Sequence, residues 1–190
     1  ETTKIQKRRL GETDLQVTPI GLGCWQFAGG KGIMNRSVWD STPQEIVDKI
    51  VKVTLDGGIN WFDTAELYGH GISERALASA LCKAGVANSD VVIATKWSPF
   101  LRTAANIPHT INKRLECLTP CKIDLYQIHM PLSFSSVETQ MDAMADLVKK
   151  GKIRFIGVSN FSAAQMRRAH ATLAKHGLPL ASNQVRFNLI

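Results

Sequence analysis

Residues 59–69 read Ile59-Asn60-Trp61-Phe62-Asp63-Thr64-Ala65-Glu66-Leu67-Tyr68-Gly69, a short apolar run that ends in an acid and is followed by a phenol. Two further apolar runs also end in reactive side chains, one in Lys96 and the other in His129. In a closed barrel of parallel strands, reactive groups lie at the carboxyl ends of the strands. These runs therefore predict that a carboxylate, a phenol, an amine and an imidazole meet on one rim.

Strand-like and helix-like segments alternate along the chain after an opening hairpin. The hairpin is predicted from Arg8-Arg9-Leu10 and Leu15-Gln16-Val17, which flank a polar turn. Six later runs are mostly apolar, as in parallel strands that are covered on both faces. These strand candidates are Ile20 to Cys24, Ile59 to Asp63, Val91 to Lys96, Ile123 to His129, Ile153 to Ser159 and Ala181 to Phe187.

Five helices are predicted between these strands from apolar residues at helical spacing. Ser73 is expected to cap the second helix. Capping boxes, in which a side chain accepts a bond from the backbone three residues on, are expected at three other helix starts. These are Thr42 with Glu45, Ser135 with Glu138, and Ser162 with Gln165.

The repeated strand–helix–strand order predicts an α/β fold, with a parallel sheet and helices outside it, as one domain over residues 1–190. One architecture of this kind is the TIM-type (β/α)8 barrel, which would be only partly present because a complete one needs about 250 residues. Only about six strands are present, so a fragment, a truncated form or a longer natural chain is expected. Open barrel edges would then favour self-association. The rival architecture is an open doubly wound sheet, but no Gly-x-Gly-x-x-Gly motif follows a strand.

Composition narrows the classes of partner. The net charge of +7 suits solubility or the steering of an anionic ligand such as a phosphate-bearing cofactor. Nucleic acid is not expected, because the basic run Lys7-Arg8-Arg9 has no interleaved aromatic residues. A membrane partner is not expected either, since no apolar run reaches about 18 residues. Gly29-Gly30-Lys31-Gly32 lacks the ending of a phosphate-binding loop, so we expect a mobile loop over the pocket mouth.

The four cysteines form no Cys-x-x-Cys pair, and no histidine follows them at zinc spacing. We therefore expect no metal site and free thiols in a reducing compartment. The cytoplasm is the expected location, and an organelle after removal of a transit segment is left open.

The four rim residues suit the transfer of a proton to a carbonyl oxygen. The ordinary pKa of tyrosine is about 10, and a nearby Lys96 ammonium is expected to lower the pKa of Tyr68. Asp63 can pair with Lys96, and His129 can donate a hydrogen bond to the substrate oxygen. Simpler interpretations stay open for each residue, namely a turn former, a packed ring, a solvated strand end and a core histidine.

Several motifs together resemble those of the aldo-keto reductases, and the resemblance runs from the hairpin to the last residues. The motifs are Gly21-Leu22-Gly23, Asp63-Thr64-Ala65-x-x-Tyr68-Gly69, Ser73-Glu74-x-Ala76-Leu77, Thr95-Lys96-Trp97, Asp124-Leu125-Tyr126-Gln127-Ile128-His129, Ile156-Gly157-Val158-Ser159-Asn160-Phe161 and Asn183-Gln184-Val185. The resemblance implies a (β/α)8 barrel closed by a hairpin. It also implies NADPH-dependent reduction of aldehydes or ketones, with a small carbonyl compound of unspecified identity as substrate.

The same resemblance implies a role for each site residue. Tyr68 is the expected general acid, Lys96 and Asp63 are its tuning pair, and His129 orients the carbonyl. The expected cofactor-binding residues are Gly23, Cys24, Trp25, Asp63, Ser159, Asn160 and Gln184, and Trp25, Tyr68, Trp97 and His129 are expected beside the substrate. Family positions that hold the cofactor's pyrophosphate and adenosine phosphate lie beyond the sixth strand.

Two alternatives to an active reductase stay open. The potassium-channel β-subunits resemble the same family, so a regulatory module that senses the nicotinamide cofactor is possible. Asparagine replaces the histidine in several of those subunits, and the presence of His129 favours the enzyme. The other alternative is a truncated form that is inactive because its cofactor site is incomplete.

Overall fold

The structure is a computed structural model that describes residues 5–29, 40 and 42–188. Of the expected loop Gly29-Gly30-Lys31-Gly32, only Gly29 lies within the described residues. No helix in these ranges is long and apolar enough to cross a lipid bilayer.

Within the described residues, six parallel strands form one sheet in which spatial order follows chain order. An antiparallel hairpin of β1 (Arg8–Arg9) and β2 (Gln16–Val17) precedes them. The parallel strands are β3 (Leu22–Gly23), β4 (Trp61–Asp63), β5 (Val92–Trp97), β6 (Leu125–Ile128), β7 (Phe155–Ser159) and β8 (Leu180–Gln184). The predicted hairpin and six strands are confirmed, and most strands begin one or two residues later than predicted.

In the part of the chain that the structure describes, five α-helices connect the parallel strands, as the apolar spacing predicted. They are α1 (Gln44–Asp56), α2 (Ile72–Lys83), α3 (Ile107–Leu118), α4 (Val137–Lys149) and α5 (Ala163–Lys175). Two short 3-10 helices, Trp25–Ala28 and Ala104–Asn106, follow β3 and β5. The apolar helix faces and the strands share one core, in which Phe62, Leu77, Ile93, Ile111 and Met141 are almost completely buried.

The predicted caps of α1 and α2 are wrong. Pro43 precedes α1 without a side-chain cap, and the Thr42 hydroxyl instead donates to the carbonyl of Gln26 at 3.2 Å. Gly71 precedes α2, and Ser73 lies inside the helix as its second residue. In both cases, the hydroxyl that was expected to cap the helix instead donates a hydrogen bond to a backbone carbonyl that is distant in sequence.

Helix α4 is capped one residue later than predicted, and α5 is capped as predicted. The hydroxyl of Ser136 accepts a bond from the Thr139 amide at the start of α4, whereas Ser135 accepts one from the amide of Ala104. At α5, Ser162 and Gln165 form both bonds of a capping box.

The strand register places the reactive side chains at one end of the sheet. Asp63 pairs with Gly23 on one side and with Ala94 on the other. His129 follows β6 directly, and its amide donates to the carbonyl of Trp97 at 3.0 Å. The carboxyl ends of β4, β5 and β6 are therefore level enough for their side chains to share one site.

Candidate active site

An ion pair lies at the base of the site. The Nζ atom of Lys96 is 2.7 Å from each carboxylate oxygen of Asp63 and 2.9 Å from the Thr64 carbonyl oxygen. These bonds use all three ammonium hydrogens. The Lys96 side chain is 2% exposed and that of Asp63 13% exposed, while Gln184 Nε2 also donates to Asp63 at 3.1 Å. The pair is thus held rigidly below the cavity.

Three rings surround the space above this pair. The ring of Tyr68 lies with its centroid 5.2 Å from Lys96 Nζ. The imidazole of His129 meets that ring edge-on at a centroid distance of 5.7 Å, and Trp25 stacks on it at 5.9 Å. The structure therefore brings together Asp63, Tyr68, Lys96 and His129, as the strand ends predicted.

These groups border an open cavity of about 320 Å³. That volume lies at the lower end of the range for small-molecule sites. The lining residues are Trp25, Leu67, Tyr68, Lys96, His129, Met130, Ser159, Asn160, Gln184, Val185 and Arg186. Sequence reasoning missed four of them, Leu67, Met130, Val185 and Arg186, although each directly adjoins a residue or strand end that it had identified.

The pKa of Tyr68 is raised, whereas the sequence predicted that the nearby Lys96 would lower it. Burial raises the pKa of Tyr68 above its ordinary value, and the charge of Asp63 and the thiol of Cys24 raise it further. The pKa rises even though the ammonium of Lys96 lies 5.2 Å from the centroid of the ring. The phenol therefore keeps its proton at neutral pH and can act as a donor.

His129 is neutral at physiological pH. Burial lowers its pKa from 6.5 to about 4, and the positive charge of Lys96 lowers it in the same direction. A neutral imidazole carries one N–H donor and one acceptor nitrogen. Its Nδ1 atom is buried and has no hydrogen-bond partner among the described residues.

Comparison with known proteins identifies the family of the chain that carries this site. The model of the aldo/keto reductase family matches residues 19–190. The chain belongs to the aldo/keto reductase family. It is 40% identical to an uncharacterised oxidoreductase of Mycobacterium bovis, over 92% of this chain and 51% of that protein. An aldo-keto reductase of Bacillus subtilis is 34% identical, over 88% of this chain and 50% of its own length.

The fold of this aldo/keto reductase chain also matches a solved structure of the family. A thermostable aldo-keto reductase crystallised with the inhibitor epalrestat superposes with a TM-score of 0.81 at 29% identity, covering 97% of this chain and 63% of that one. The fold is thus that of a (β/α)8 barrel, of which six strands are present. The chain spans about half the length of the curated relatives it matches.

One wall of the cavity fits the nicotinamide carboxamide that the resemblance implies for an aldo/keto reductase. Ser159 Oγ donates to the carbonyl of Gln184 at 2.9 Å, and Asn160 Nδ2 donates to Ser159 Oγ at 3.0 Å. The Oε1 atom of Gln184 is buried and has no partner among the described residues. A carboxamide N–H could occupy this free acceptor, since an unpaired buried polar group is costly.

Three of the residues that are expected beside the cofactor or substrate, Gly23, Cys24 and Trp97, do not line the cavity. Trp97 is fully buried and does not line the cavity, and its Nε1 donates to Asn106 at 3.1 Å. Side chains alternate along a strand, so Trp97 points away from the barrel interior that its neighbour Lys96 faces. Cys24 is also fully buried, whereas Gly23 is exposed at the strand end, so only Trp25 of residues 23–25 lines the cavity.

Proposed function

We propose that the protein reduces aldehydes or ketones to alcohols with NADPH, and that Tyr68 supplies the proton. The observation that carries the proposal is the meeting of a protonated phenol, a neutral imidazole and a buried ion pair around one cavity. This arrangement suits a reaction in which negative charge develops on a substrate oxygen.

Each group has a part in that proton transfer. Tyr68 gives its proton to the carbonyl oxygen as charge develops there, and the fixed ammonium of Lys96 stabilises the phenolate that remains. An N–H of neutral His129 orients the same oxygen by hydrogen bonding. Asp63 keeps Lys96 in place through two bonds of 2.7 Å.

The chain's own groups supply no electrons, so a cofactor is required. NADPH, when bound, supplies the hydride that reaches the carbonyl carbon. Ser159, Asn160 and Gln184 would hold its carboxamide beside Tyr68, because all three line the same cavity. The choice of NADPH over NADH rests on the family resemblance. The proposed cytoplasmic location rests on the four cysteines, which form no Cys-x-x-Cys pair.

The test is the Tyr68→Phe variant of the natural protein, assayed with a simple aromatic aldehyde and NADPH. Loss of a general acid should lower kcat by about 10²- to 10⁴-fold. Tyr126→Phe is the matched control, because Tyr126 is the other of the two tyrosines in this sequence and is completely buried in the core. This control should retain wild-type turnover.

Equal turnover of Tyr68→Phe and the wild type would remove Tyr68 from the mechanism. NADPH binding by the wild type without turnover of any tested carbonyl would instead support the cofactor-sensing alternative. Titration of the wild-type protein with NADPH, followed by fluorescence quenching, measures cofactor binding and so distinguishes that outcome from simple loss of the cofactor site.

A further inference from the structure

A buried serine lies next to the site but is not one of the residues that line the cavity. Ser73, the second residue of α2, is 0% exposed. Its hydroxyl donates to the carbonyl of Cys24 at 2.6 Å and lies 2.8 Å from the hydroxyl of Thr64. Its amide donates to the carbonyl of Tyr68 at 3.2 Å. One residue thus bonds to Cys24 after β3 and to two residues, Thr64 and Tyr68, of the turn between β4 and α2.

The direction of these hydroxyl bonds is determined by counting hydrogens. A serine hydroxyl has one hydrogen, and that of Ser73 is used by the Cys24 carbonyl. The hydroxyl of Thr64 must therefore be the donor to Ser73. The result is a directed series from Thr64 through Ser73 to Cys24, all fully buried.

One end of this series controls the position of Trp25. The Cys24 amide donates to the carbonyl of Asp63 at 2.8 Å, and the Cys24 carbonyl accepts from Ser73. Cys24 is therefore held between β4 and α2. Trp25, the next residue, stacks on Tyr68, so a shift of Cys24 would move this wall of the cavity.

The other end of this series, at Thr64, controls the position of the Lys96 ammonium. The carbonyl of Thr64 accepts one of the three ammonium hydrogens of Lys96, at 2.9 Å. The hydroxyl of Thr64 is anchored by Ser73, and the backbone amide of Thr64 donates to the carbonyl of Ala94 at 2.9 Å. Movement of Thr64 would displace the ammonium relative to the phenol.

We propose that Ser73 is a positioning residue for carbonyl reduction, because its hydroxyl sets the distance between the Trp25–Tyr68 wall and Lys96. The inference rests on the proposed function. It predicts that loss of one buried hydroxyl, distant from the substrate, lowers kcat more than it raises KM. A misplacement of about 1 Å far from the chemistry can cost about 10²-fold in rate.

The experiment compares four variants of the natural protein in steady-state reduction of an aromatic aldehyde. Ser73→Ala removes the hydroxyl, Thr64→Val removes its donor, and Ser73→Cys keeps a weaker donor of similar size. Thr172→Val is the matched control, since the Thr172 hydroxyl is also buried but bonds to Arg168 within α5. We expect kcat to fall by about 10- to 100-fold in Ser73→Ala, to an intermediate level in Ser73→Cys and Thr64→Val, and to stay at the wild-type value in Thr172→Val.

A second measurement reports the position of Trp25 independently of catalytic activity. Fluorescence emission of each variant, minus that of the same variant carrying Trp25→Phe, isolates Trp25, and we expect its emission to change in Ser73→Ala. A lowered Tm with wild-type kcat and unchanged Trp25 emission would overturn the inference and leave Ser73 a structural residue. If Ser73→Ala does not fold, wild-type kcat in both Ser73→Cys and Thr64→Val would also overturn the inference. Absence of turnover in the wild-type protein would instead refute the proposed function itself.

Discussion

At the scale of single residues, burial acts on two titrating groups in opposite directions and leaves both neutral. Removal from water disfavours the charged form of any group. The pKa of the Tyr68 phenol therefore rises, and that of the His129 imidazole falls to about 4. The Lys96–Asp63 pair is the charged element between them. The site thus presents two neutral donors to a substrate oxygen and keeps a positive charge nearby.

The lowered pKa of His129 predicts a specific pH dependence of stability. Between pH 6.5 and about 4 the unfolded chain binds a proton at His129 that the folded chain does not. The contribution of neutral His129 to the free energy of unfolding is therefore fully present above pH 6.5, and it is lost as the pH falls towards 4. His129→Asn should lose less free energy of unfolding over this range than the wild type, as measured by urea titration at several pH values.

His109→Asn serves as the control for this prediction, because His109 is exposed on α3. Its stability curve should run parallel to that of the wild type. A His129→Asn curve that is also parallel to the wild type would contradict the assignment of a neutral, buried imidazole. NMR titration of the His129 ring protons would show the midpoint directly.

At the scale of elements, the turn from β4 to α2 decides where Tyr68 lies. Gly69, His70 and Gly71 all have left-handed backbone, with φ values of 69°, 51° and 98°. A Cβ atom at Gly71 would lie 2.8 Å from the sulfur of Cys117. Glycine at this position therefore provides both the backbone conformation and the close approach of α3. The tightly wound turn brings the Tyr68 carbonyl to the amide of Ser73.

Replacement of Gly71 by alanine should destabilise the protein more than the same change at Gly85. Both glycines are left-handed, with φ values of 98° and 68°, and a left-handed non-glycine residue costs about 1–2 kcal/mol. A Cβ at Gly85 meets nothing within 4 Å, so only Gly71→Ala adds a collision with Cys117. Chemical denaturation of both variants measures the difference.

The contribution of that collision can be isolated with Cys117→Ala. In the presence of Cys117→Ala, the extra cost of Gly71→Ala over Gly85→Ala should decrease. Equal destabilisation by the two glycine substitutions would show that the approach of α3 does not constrain this turn.

At the scale of the whole molecule, one arginine joins the hairpin to the end of the barrel opposite the site. Arg154 lies 2.7 Å from Asp14 in the hairpin and 2.8 Å from Asp124, which precedes β6. The second oxygen of Asp124 accepts a bond from the Ile93 amide at 2.9 Å. The hairpin, β5, β6 and β7 therefore meet through these two carboxylates, at the end of a barrel that is associated with stability.

Arg154→Met should loosen the hairpin without changing the candidate active site. Loss of the guanidinium leaves Asp124, only 4% exposed, with one fewer partner and releases Asp14. Hydrogen exchange of the residue 8–17 amides should become faster, while turnover stays at the wild-type value.

Arg168→Met is the control for this exchange experiment. Arg168 pairs with Glu138 across α4 and α5, and both side chains are solvent-exposed. Hairpin exchange should stay unchanged in that variant. Equal protection of the hairpin in Arg154→Met and the wild type would show that other contacts hold the hairpin, among them the apolar packing of Leu15 and Val17 and the hydrogen bond from Asn60 to Gln16.

Much of the fold and the site can be read from local patterns. Apolar runs that end in Asp63, Lys96 and His129 predicted three neighbouring strands and the rim on which their side chains meet. The spacing of Ser162 and Gln165 predicted a capping box that the structure contains. These features depend on residues close together in sequence, because strand alternation, helical spacing and capping are short-range effects.

Features that depend on distant contacts were decided only by the tertiary structure. The pKa of Tyr68 rises because of burial and the charge of Asp63. Trp97 packs away from the cavity against Asn106, and Ser73 bonds to Cys24, 49 residues away, instead of capping its helix. Sequence determined which groups arrive at the rim. Only the packed chain determined their protonation and their partners, because desolvation and hydrogen-bond competition depend on every segment around a group.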